Sequence, residues 1–90
     1  MRRLIDYVVE SAKVWDHMPS YQRLGRLEYF SRLQAYLDHI RGGIERGRLT
    51  PRQVREFRTL ERLARDAMGT VKILKAKDAE MRKREEDKPR

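Results

Sequence analysis

Residues 57–74 read FRTLERLARDAMGTVKIL, and their spacing decides the fold class. Phe57, Leu60, Ala64, Ala67, Val71 and Leu74 recur at alternating intervals of three and four, which places them along one side of a long α-helix. Arg55, Arg58, Arg62, Arg65 and Lys72 gather on the other side. One face requires apolar cover, from this chain or a second one. The other meets phosphate or water.

The start of this helix is written just upstream. Thr50 is an N-cap residue, Pro51 fits the first helical position, and Gln53 stands where a capping box closes. Leu49 and Val54 flank the cap at hydrophobic-staple positions. Downstream, Asp78 interrupts the row Phe57, Ala64, Val71, while Met81 continues the row Leu60, Ala67, Leu74. The helix is therefore expected to extend into the seventies and to reach Met81. Residues 79–90 are rich in both charges and poor in apolar side chains, which predicts a frayed or disordered tail after a single helical domain over 1–78.

A second helix is expected over 20–46, with Phe30, Leu33, Leu37, Ile40 and Ile44 on one face and Tyr29 and Tyr36 on its shoulder. Leu24 and Leu27 face elsewhere, and Arg26 falls on the extrapolated apolar seam. Either a kink at Gly25 or cover from a first helix reconciles them. Gly47 is the expected stop, since glycine readily takes the left-handed conformation of a helix C-terminus. The first helix carries Leu4, Ile5, Val8, Ala12 and Trp15 and is expected to end near Met18, before Pro19, with Ser20 capping the next. Trp15 reads as a packing anchor between helices. The expected architecture is all-α: a short N-terminal helix plus a long antiparallel helical hairpin, forming a dimeric helical bundle. A chain of 90 residues buries only a modest core alone, so sharing apolar stripes with a second copy is favourable. Trp15, Phe30, Leu33, Leu37, Ile40, Phe57, Leu60, Ala64, Val71 and Leu74 are the residues expected in packing or at that interface.

Chemistry is largely excluded by what the chain lacks. There is no cysteine for disulfides, thiol catalysis or zinc. His17 and His39 stand in no closed ligand motif, and Ser11, Ser20 and Ser31 lack a partner base. Gly42-Gly43 lacks the lysine and hydroxyl of a phosphate loop. No enzyme activity, cofactor or metal is expected. No continuous apolar run forms a signal core or a membrane span, so a cytoplasmic location is the expectation.

Charge is the remaining signal. The formal net charge is +8, and it is concentrated in the centre: six arginines face three acids over 21–50, and seven Lys/Arg face three acids over 51–75. A field of this kind attracts DNA, RNA or an acidic protein. An absence of asparagine alongside many arginines also fits a solvated, heat-adapted surface. The leading expectation is a basic, homodimeric, nucleic-acid-associated protein, architectural or regulatory. Arg48, Arg52, Arg55, Arg58, Arg62, Arg65 and Lys72 would contact the phosphate backbone. The alternative is a helical protein-interaction module, an adaptor, inhibitor or scaffold, that offers Phe30, Leu33, Leu37 and Ile40 to an acidic or groove-bearing protein.

Overall fold

A computed structural model describes residues 2–86, and among them every regular element is helical. In chain order these are α1 (Arg2–Lys13), a 3₁₀ turn (Trp15–His17), α2 (Ser20–Phe30), α3 (Arg32–Glu45) and α4 (Pro51–Glu86). The 36-residue α4 is the spine on which α1, α2 and α3 all pack.

The turn before α4 forms from the residues that predict it. Gly47 adopts φ +68, and Arg46 N–H donates to the Gly42 carbonyl, closing α3. Thr50 N–H donates to Gln53 Oε1 at 3.0 Å, and Gln53 N–H returns to Thr50 Oγ1 at 3.2 Å. That reciprocal pair is a capping box. Contacts then pair α3 with α4 in opposite directions: Phe57 lies against Gly43, Arg41 reaches Glu61, and Arg23 of α2 reaches Asp78.

Three local expectations are corrected. The first helix ends at Lys13 rather than near Met18, because Val14 takes φ −116, ψ 11 and the chain tightens into a 3₁₀ turn. That turn swings Trp15 inside, and Met18, extended ahead of Pro19, completes it. Ser20 does not cap α2; the Pro19 carbonyl instead accepts from Gln22 and Arg23 N–H. The segment 20–46 is two helices, broken at Ser31 and not at Gly25. Ser31 Oγ donates to the Glu28 carbonyl at 2.6 Å, competing with the helical ladder as a mid-helix serine can.

The main core gathers Leu4, Ile5 and Val8 of α1, Trp15, Phe30, Leu33 and Leu37, with Ala64, Ala67, Val71 and Leu74 of α4. Ile40 is also buried, whereas Phe57 and Leu60 are only half-buried. The position of α1 explains the difference. Its 12 residues cover about 18 Å of a molecule 61 Å long, so the hairpin tip consists of two helices alone. The radius of gyration, 16.4 Å, exceeds the roughly 12 Å of a compact globule of this length. The molecule is a rod.

α4 stays helical through 79–86, the beginning of the stretch read from sequence as a tail; the remainder, 87–90, lies outside the described residues. Met81 packs on the core there, and Arg84 donates to Glu80 Oε1 at 2.9 Å.

Candidate nucleic-acid interface

α4 positions the candidate cations. Burial of Ala64, Ala67, Val71 and Leu74 orients the helix, and the residues opposite must then face outward. Arg55, Arg58, Arg62, Arg65 and Lys72 are all exposed, within an arc of roughly 100° at 3.6 residues per turn. From Arg55 to Lys72 the ridge runs about 25 Å at 1.5 Å per residue. Arg48 is exposed in the turn before α4, and Arg52 in its first helical turn.

Two of the three acids of this segment are engaged by other cations. Glu61 Oε2 accepts from Arg41 Nε of α3 at 3.2 Å, and Glu56 Oε1 lies 3.6 Å from Arg52 Nε. Asp66 flanks the ridge, and its carbonyl accepts from Thr70 Oγ1. Among the described residues, Arg55, Arg58, Arg62, Arg65 and Lys72 have no acid within ion-pair distance. Arg52, by contrast, carries a partner and stands to one side. The ridge can therefore offer planar guanidinium forks to phosphate oxygens without first breaking internal pairs.

The apolar candidates divide by position. Trp15, Phe30, Leu33, Leu37, Ile40, Ala64, Val71 and Leu74 lie buried within this single chain. Phe30, Leu33, Leu37 and Ile40 are thus enclosed by the fold and are not a free face for a groove-bearing partner. Phe57 and Leu60 are only half-buried, near the two-helix tip.

The structure also assembles polar groups that local patterning leaves unpaired. Arg23, 1% exposed, donates from Nε to Asp78 Oδ1 at 2.8 Å and from Nη1 to the Met18 carbonyl at 2.6 Å. Asp78 is wholly buried; Arg82 Nε approaches its other oxygen at 3.0 Å, an ion pair lying off the hydrogen-bonding direction. Arg23 Nη2 stands 3.5 Å from Glu85 Oε1. Arg26 Nη1 donates to the buried Ser11 Oγ at 2.8 Å. The signal for this network stands in the sequence as Asp78 and Arg26 on apolar seams, but their partners lie in other helices. Trp15 Nε1 has no acceptor among the described residues.

No helix among the described residues is long and apolar enough to cross a membrane. No protein-family model, curated protein or solved structure matches the chain.

Proposed function

We propose that this chain is a small nucleic-acid-associated helical protein, architectural or regulatory, that binds the phosphate backbone through the outer ridge of α4. The observation carrying this reading is the row of exposed Arg55, Arg58, Arg62 and Arg65, none with an acid at ion-pair distance among the described residues, while neighbouring Glu56 and Glu61 are turned to other partners. A solvated surface helix ordinarily interleaves both signs and pairs them at i,i+4. Here Arg55, Arg58, Arg62 and Arg65 follow one another over nearly three helical turns, with the acid Asp66 at their flank.

Backbone contact of this kind is independent of base sequence and is driven largely by counterion release. Five phosphate contacts on duplex DNA would give a slope of roughly −4.5 in log affinity against log salt. The proposed functional unit is a homodimer. The half-buried Phe57 and Leu60 at the two-helix tip favour a second copy, which would bury them and bring two ridges into one assembly.

The test changes Arg58, Arg62 and Arg65 together to Gln and measures binding to mixed-sequence DNA and RNA across a salt series. Retained helicity with weaker binding to every sequence, and a shallower salt slope, is the expected outcome. Equal affinity and equal salt response in the variant would remove the ridge from binding. Negligible binding by the unmodified chain at low salt would end the nucleic-acid reading altogether.

A further inference from the structure

Across the bundle from the α4 ridge, α1 and α2 leave a cleft between them. Both helices pack on the inner face of α4 and meet one another through a few side chains. Tyr7 and Tyr29 approach to 5.7 Å between ring centroids, and Tyr7 and Phe30 meet in a T-shaped pair at 5.6 Å. Beside them is an open recess of about 470 Å³ walled by Tyr7, Gln22, Gly25, Arg26 and Tyr29. A second open recess, about 440 Å³, continues along α3 between Arg32, Tyr36 and His39.

Two arginines are set in place along this strip before any ligand arrives. Arg26 is tied to Ser11 Oγ and lies 5.0 Å over the Tyr7 ring. Arg32 lies 4.9 Å over the Tyr29 ring. Each guanidinium has five N–H donors; Arg26 gives one from Nη1 to Ser11, and stacking on a ring leaves the remaining donors for a carboxylate. Neither recess is walled by a carboxylate. Gly25 supplies the depth of the first: it sits in the middle of α2, and a Cβ built there would meet nothing within 4 Å. Alanine is favoured over glycine in a helix interior by about 0.5–1 kcal/mol, so the open site carries a cost in stability.

We infer that this cleft is a docking surface for an acidic segment of another protein. Its carboxylates pair with Arg26 and Arg32, and an aliphatic side chain fills the recess over Gly25. Arg26 in α2 and Arg32 at the start of α3 stand on either side of the break at Ser31, over the neighbouring rings of Tyr7 and Tyr29, so the bound segment must carry a carboxylate at each. The charge of the strip calls for an anionic partner. A guanidinium already lies over each ring, Arg26 over Tyr7 and Arg32 over Tyr29, which leaves less ring face for a nucleobase to stack on and favours a carboxylate-bearing protein segment. Tyrosine and arginine are also the side chains that most often anchor protein interfaces. This surface stands apart from the α4 ridge and does not depend on it.

The test selects a random 12-residue displayed peptide library on the full chain. Binding of the selected peptides is then measured to Gly25→Leu, which fills the recess, and to Arg32→Gln, an exposed change. Thermal melting confirms that each variant folds. Enriched peptides are expected to combine Asp or Glu with Leu, Ile or Phe, and to lose about tenfold in affinity to each variant. Neutral or basic peptides, peptides indifferent to both variants, or no enrichment would each overturn the inference. A parallel arm uses a 12-nucleotide oligothymidylate. If it binds, loses affinity to both variants and displaces the peptides, the strip belongs to nucleic acid and the protein-docking assignment falls.

Discussion

Arg23 and Asp78 show at the residue scale how a rule of burial can be broken and then compensated. Burying either charge alone is costly, and the pair survives because Met18, Arg82 and Glu85 supply further partners. Asp78→Ala leaves a buried guanidinium without its carboxylate and should cost about 3–5 kcal/mol in urea unfolding. Replacing both together, Arg23→Met with Asp78→Leu, should be neutral or stabilising by up to about 4 kcal/mol, since it removes two desolvated charges. If the double variant is as damaged as the single one, the network contributes more than charge compensation. Sequence pattern marks Asp78 as a defect in the seam. Its partner, 55 residues away, becomes evident only when α2 lies on α4.

Two adjacent glycines make the argument at the scale of elements. A Cβ on Gly43 would sit 2.8 Å from Phe57 Cε2, too close without a shift, whereas one on Gly42 would meet Arg46 Nη2 at an ordinary 3.7 Å. Both lie within α3, where alanine is favoured by about 0.5–1 kcal/mol. Gly42→Ala should therefore raise the melting temperature. Gly43→Ala should lower it, because overpacking costs typically about 1–3 kcal/mol. Adding Phe57→Leu to Gly43→Ala should recover part of the loss by clearing the contact. Equal stabilisation by both alanines would mean that α3 and α4 separate freely at the tip. From sequence the pair reads as a weak turn in a helix; in the structure one of the two lies directly against the Phe57 ring of the facing helix.

For the whole molecule the decisive quantity is cover. α1 spans less than a third of the rod, and the tip beyond it leaves Phe57 and Leu60 half-buried. Sedimentation equilibrium over a concentration series should show a dimer. Leu60→Asp should return it to a monomer while the main core, which does not include Leu60, keeps the chain helical. A monomer at every concentration for the unmodified chain would remove the dimer from the proposed function. Loss of helicity in Leu60→Asp would instead place Leu60 in the fold of the single chain.

Features made within one or two helical turns could be read from the sequence alone. The all-α class follows from apolar spacing, the start of α4 from Thr50, Pro51 and Gln53, and the end of α3 from Gly47. These signals are legible because the groups that satisfy each other are neighbours in the chain. The outward side of the arginines was legible for the same reason, since one helix carries both the buried stripe and the ridge. The end of α1 at Val14 and the break at Ser31 are local features that apolar spacing does not reveal, whereas tertiary structure alone decided that Trp15 is buried. It also decided that Glu61 leaves the ridge for Arg41, that Arg23 meets Asp78, and that Tyr7, Arg26 and Tyr29 share a cleft. Each of those pairings joins groups on different helices, and its energy depends on a distance and a degree of burial that exist only after the helices have packed.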